Sequence, residues 1–130
     1  MRQQLALTAL VVHDYDAAIE FFVGTLGFEL IEDTPLPEQN KRWVVVAPKG
    51  AKESRLLLAQ ADGEAQAGVV GRQAGGRVLL FLHTDDFWRD YRAYQERGVR
   101  FTEEPREEVY GTVAVFEDVA GNLWDLLEPR

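Results

Sequence analysis

The spacing of apolar and polar positions changes several times along the chain, and each change marks an element. Leu5 to Val12 is a nearly unbroken run of apolar and small residues, the pattern of a strand buried on both faces. From Asp14 the period shifts: Tyr15, Ala18, Ile19, Phe22 and Leu26 recur at three- and four-residue spacings and form one face of a helix. Asp14 is suited to cap that helix, because its carboxylate can accept from the unpaired amides of the first turn. Gly27 can take the positive φ that stops it. Phe28 to Asp33 predicts a strand, followed by a loop bearing Pro35 and Pro37. Arg42 to Ala47 and Arg55 to Gln60 predict two further strands, joined by a hairpin turn over Pro48 to Glu53.

The order then starts again. Arg77 to His83 predicts a strand, Asp86 to Arg97 a helix, and Val99 to Glu103 a strand. Tyr110 to Glu117 alternates as a strand, Asp118 to Asn122 supplies a tight turn, and Asn122 to Glu128 predicts the last strand. The copies align residue by residue: Asp14 with Asp86, Tyr15 with Phe87, Ile19 with Tyr91 and Phe22 with Tyr94. The fold class expected is α+β, two β-α-β-β-β modules at 1–61 and 77–130. Between them, 62–76 holds five glycines and few large residues, which predicts an ordered but mobile linker acting as a lid, with Gln73 on it.

Composition narrows the function. At 130 residues the chain is one domain, with 46% hydrophobic and 28% charged residues, as in ordinary globular proteins. No apolar run approaches the ~18 residues needed to cross a bilayer, and no signal-peptide pattern is present, so the cytoplasm is the expected compartment and no membrane partner is expected. The absence of Cys excludes disulfides, thiolate metal sites and Cys nucleophiles. A net charge of −8 with scattered Lys and Arg excludes nucleic acid as a partner.

Two motifs bracket the chain. V-x-D-x-D-x-A-x-x-F-F-x-x-x-L-G-F starts at Val12, and D-x-x-G-N-x-W-D-L-L-E-P starts at Asp118. Together with the repeat, they resemble the vicinal-oxygen-chelate superfamily, which includes glyoxalase I, extradiol dioxygenases, and fosfomycin- and bleomycin-resistance proteins. The resemblance implies paired modules forming a cup of curved mixed sheet around a small-molecule ligand, commonly in a homodimer. It also implies metal positions at Leu7, Leu57, Leu79 and Asp125. Leucine donates nothing, and a lone carboxylate does not fix a divalent cation. No cofactor is therefore expected, and a divalent metal is disfavoured.

Strand alternation groups residues with these four positions. Leu5, Ala9, Val11, Arg55, Ala59, Arg77, Phe81, His83, Leu123 and Leu127 share their side, unless a β-bulge intervenes. The expected ligand contacts are thus Arg55, Leu57, Arg77, Leu79, Phe81, His83 and Asp125. Asp125, the candidate catalytic residue, orients a ligand amine or hydroxyl or acts as a general base; alternatively it pairs with Arg55 or Arg77. The two arginines could instead clamp an anionic ligand. Phe81 is the aromatic candidate for the wall. Trp43 fits either face, while Trp88 and Trp124 are expected in the core. The reading is a small-molecule-binding, metal-free protein. Its rivals are a metal-dependent lyase or dioxygenase using Asp125, His83 and Glu103 or Glu117, and a protein that sequesters a cationic antibiotic.

Overall fold

The computed structural model describes residues 2–130. Two compact units divide the chain, Met1–Val70 and Gly71–Arg130. Each holds a four-stranded mixed sheet with helix on one face, so the architecture is α+β. Among the described residues no helix is long and apolar enough to cross a membrane.

In the first unit, β1 (Leu7–Val12) pairs in parallel with β4 (Arg55–Gln60). Next comes β3 (Lys41–Ala47), antiparallel to β4, and then β2 (Glu29–Leu36) at the edge. Helix α1 (Tyr15–Ile19) continues as a π-helical segment, Glu20–Thr25. Two side chains hold its start. Asp14 Oδ2 accepts from the Ala17 amide at 2.8 Å, and Gln60 Oε1 accepts from the Tyr15 amide at 3.0 Å. Leu10, Val12, Ala18, Phe22, Val44, Val46, Leu56 and Leu58 are buried and make the core between helix and sheet.

Three expectations change in this unit. β1 is buried on one face only: Leu10 and Val12 are covered, while Leu7 and Ala9 are exposed. β2 runs on through the expected loop to Leu36, because Pro35 lies on an edge strand, where a missing N–H breaks no central ladder. The expected lid at 62–76 contains a short helix, α2 (Gly63–Ala67), followed by buried Val70.

The second unit repeats the topology. β5 (Val78–His83) pairs in parallel with β8 (Leu123–Pro129); β7 (Gly111–Glu117) and β6 (Arg106–Glu108) follow antiparallel. Helix α3 (Phe87–Glu96) starts like α1: Asp86 Oδ1 accepts from the Arg89 amide at 3.2 Å, and Glu128 Oε1 from the Phe87 amide at 2.7 Å. The strand expected at Val99 to Glu103 reduces to one bridge, Phe101 to Phe116. Pro105 has no N–H to donate, and the regular ladder resumes at Arg106.

The turn before β8 is built around Asp118, which is 6% exposed. Its Oδ1 accepts from the amides of Ala120, Gly121 and Asn122 at 2.9–3.0 Å, and its Oδ2 from the Trp124 indole at 2.9 Å. Trp124 is core, as expected, stacked on Phe116 with ring centroids 5.6 Å apart. Trp88, expected in the core, is 43% exposed on α3. Gly71 (φ +77°) packs against this turn so closely that a Cβ there would lie 2.2 Å from the Ala120 carbonyl oxygen. The start of the glycine-rich run is thus a packed connection.

Candidate functional site

In each unit the sheet face away from its helix carries the candidate residues. In the first unit the register aligns Ala9, Leu57 and Val45 across β1, β4 and β3. Alternation then sets Leu7 and Val11, Arg55 and Ala59, and Trp43 on the same face. A concavity of about 220 Å³ opens there, lined in part by Leu7, Glu32, Trp43, Val45, Lys52 and Arg55. The Arg55 Nε is buried without a hydrogen-bond partner among the described residues. An unsatisfied buried donor of this kind costs about 1–3 kcal/mol. Trp43, free to take either face in the sequence, is on the open one at 37% exposure.

In the second unit Phe81, Asp125 and Val115 align across β5, β8 and β7, with His83, Leu127 and Val113 in the next row. Phe81 is 63% exposed, while Val115 is buried. Asp125 is half-buried on this largely apolar face. Burial raises its pKa above the usual carboxylate value; the charge of Arg106 lowers it and that of Glu103 raises it further. Among the described residues, no side-chain hydrogen bond or ion pair reaches the Asp125 carboxylate. The Arg106 guanidinium is occupied by Glu103 at 3.1 Å, the Tyr110 hydroxyl at 3.2 Å, and Glu108. Asp125 therefore bears a desolvation penalty that the charge of Arg106 offsets only in part.

The expected contacts are distributed as follows. Arg55 and Leu57 lie on the open face of the first unit, and Phe81, His83 and Asp125 on that of the second. The pairing skips Leu79: Val78 faces Leu123 and Leu80 faces Trp124, so Leu79 is the extra residue of a bulge. That bulge breaks the parity that grouped Arg77 with Asp125. Arg77 precedes β5 in an exposed turn, its amide donating to the Ala74 carbonyl at 3.2 Å. The cation acting on Asp125 is Arg106, where the sequence pointed to Arg55 or Arg77. Glu103 and Glu117, the acids named for an alternative metal set, are paired with Arg106 and Arg100.

Sequence reasoning missed Glu32, Lys52, Val115 and Arg106. Alternation along Tyr110 to Glu117 signals Val115 once Asp125 is chosen. Arg106 has no local signal, because its position depends on a strand of three residues.

The whole arrangement has known counterparts. The family model described as Glyoxalase/Bleomycin resistance protein/Dioxygenase superfamily matches residues 4–126. The chain belongs to this superfamily. An uncharacterized protein of Shewanella frigidimarina is 59% identical over 98% of this chain and 95% of its own. The crystal structure of UcmS2 superposes with a TM-score of 0.85 at 32% identity, covering 98% of this chain and 99% of that one. TnmS3, an antibiotic binding protein from Streptomyces sp. CB03234, superposes with a TM-score of 0.78 at 33% identity, covering 100% of this chain and 98% of that one.

Metal-dependent members of the superfamily require a set of His, Glu or Gln donors. At the positions that the sequence resemblance implies, Leu7 and Leu57 in the first unit offer no donor, and in the second Leu79 offers none and Asp125 one carboxylate. Among the described residues no three His, Asp or Glu side chains converge as a candidate metal site. Three leucines and one carboxylate do not make the donor set of a divalent ion.

Proposed function

We propose that this superfamily member binds a small organic molecule against the open sheet face of its Gly71–Arg130 unit, without a divalent metal. The observation that carries this reading is Asp125, a half-buried carboxylate with a raised pKa and no partner in its unit. A ligand amine or hydroxyl donating to Asp125 would offset that penalty, while Phe81, Leu123 and Val115 cover the ligand's apolar body. A carboxylate in such surroundings also suits a general base, so recovery of the ligand unmodified separates binding from turnover.

Sequestration of a cationic antibiotic is the more specific form of this reading. The net charge of −8 and the likeness to an antibiotic binding protein favour it. We also infer a homodimer in the cytoplasm, the dimer to be checked by light scattering of the purified protein.

Native mass spectrometry of protein purified without chelator tests the reading, together with metal analysis of the same sample. A retained organic molecule in the wild type, lost from Asp125→Asn with the fold unchanged, is the expected result. Stoichiometric Ni, Zn, Mn or Fe would overturn the metal-free reading. Ligand retained undiminished by Asp125→Asn would remove Asp125 from the site.

A further inference from the structure

We propose that Glu103 and Glu108 are positioning residues: they hold the Arg106 guanidinium off Asp125 and so keep the Asp125 carboxylate open. The placement of Arg106 makes such a restraint necessary. On β6 it faces Val113 of β7, which faces Leu127 of β8. Its side chain therefore shares the face of Asp125, two strands over and one row along. Strand spacing of about 4.8 Å and a rise of about 3.4 Å per residue set the two Cα atoms about 12 Å apart, a span that an extended arginine and an aspartate can close. A guanidinium with nothing to hold it would move to that half-buried carboxylate, the opposite charge on its own face.

Three acceptors hold it instead. Arg106 Nε donates to Glu103 Oε1 at 3.1 Å, and Nη1 donates to Glu108 and to the Tyr110 hydroxyl, the latter at 3.2 Å. Among the described residues Nη2 makes no hydrogen bond, so the guanidinium keeps a donor with which to reach Asp125. The two acids act from opposite ends. Glu103 follows Thr102, whose amide donates to the carbonyl of Val115, the residue facing Asp125, at 2.8 Å. Glu108 faces Gly111 at the other end of the β6–β7 pair. Among the described residues of these strands, the remaining titratable groups on the face are His83 and Glu117. His83 is on β5, one row from Asp125, and Glu117 is on β7, one row the other way and paired with Arg100 at 3.7 Å.

The use of the open carboxylate rests on the reading of Asp125 as the ligand's acceptor, but the restraint itself is tested without a ligand. The readout is the Asp125 carboxyl resonance of the 13C-labelled full chain, titrated with pH. Glu108 is not among the charges that act on Asp125, so Glu108→Gln reports through Arg106. In Glu108→Gln the Asp125 midpoint is expected to fall by about one pH unit or more, as Arg106 closes on the carboxylate. In Arg106→Met, and equally in Arg106→Met with Glu108→Gln, it is expected to rise above wild type, because the cation is gone. An unchanged midpoint in Glu108→Gln, or the same fall in the Arg106→Met background, overturns the proposal. Should Glu108→Gln fail to fold, Tyr110→Phe keeps the exposed ring, removes one acceptor, and is read the same way with a smaller expected fall. Native mass spectrometry then tests the use: the organic molecule is expected to be lost from Glu108→Gln and regained when Arg106→Met is added. A midpoint that falls in Glu108→Gln while the molecule stays bound upholds the restraint and overturns the reading of Asp125 as the ligand's acceptor.

Discussion

The two units share a topology and a way of starting their helices, yet they present opposite charges on their open faces. In both, an aspartate caps the helix from in front, and an acceptor near the end of the parallel partner strand takes the first helical amide: Gln60 for Tyr15 and Glu128 for Phe87. These contacts join helix to sheet within a unit and recur at equivalent positions in both. Leu57 and Asp125, by contrast, occupy equivalent positions on the last strand and differ completely in chemistry. In the first unit the Arg55 Nε is buried without an acceptor among the described residues, and in the second burial raises the pKa of the half-buried Asp125. What is shared supports the fold; what differs lies on the open faces.

The largest effect expected comes from a feature that only the second unit has. Asp118→Ala strands three turn amides and the Trp124 indole without their acceptor, and should cost about 3 kcal/mol of stability by urea denaturation. Lys49→Ala, in the corresponding turn of the first unit, should change stability by less than about 0.5 kcal/mol. Equal losses in the two variants would show that the turns are equivalent after all.

The shared caps should respond alike. Asp14→Ala and Asp86→Ala are each expected to cost about 1 kcal/mol. Glu128→Gln, which gives the second unit the first unit's acceptor, should stay within about 0.5 kcal/mol of wild type, whereas Glu128→Leu should lose about 1 kcal/mol. A large loss in Glu128→Gln would show that the charge matters, not the acceptor oxygen.

The smallest effect on stability distinguishes the open faces. Burial raises the Asp125 carboxyl above its unfolded value, so the folded state holds the proton more tightly between the two values. Stability is therefore lost as pH rises from about 4, the unfolded value, through the folded one. Asp125→Asn removes this loss, so its Tm relative to wild type should climb over that interval and then level off. A Tm difference independent of pH would mean that Asp125 is not penalised by its surroundings.

Much of this was legible in the sequence, for identifiable reasons. The caps at Asp14 and Asp86 are local, each acting on an amide three residues on, and the apolar spacing of Tyr15, Ala18 and Phe22 depends on the helix alone. β2 was read too short because Pro35 looks like a terminator until its strand is known to lie at an edge. Arg77 was grouped with Asp125 because parity counting cannot detect the bulge at Leu79. Arg106 was missed because the short strand that carries it exists only by pairing with β7.

The sequence by itself therefore determined the repeat, the helices, the α+β class, and the leucines standing where metal donors are expected. Tertiary structure alone decided which charge neighbours Asp125, that the Arg55 Nε lacks an acceptor, and that Trp43 faces outward. The reason is physical. Periodicity and capping act over a few residues of one chain segment, whereas desolvation and charge pairing depend on groups brought together from strands distant in sequence.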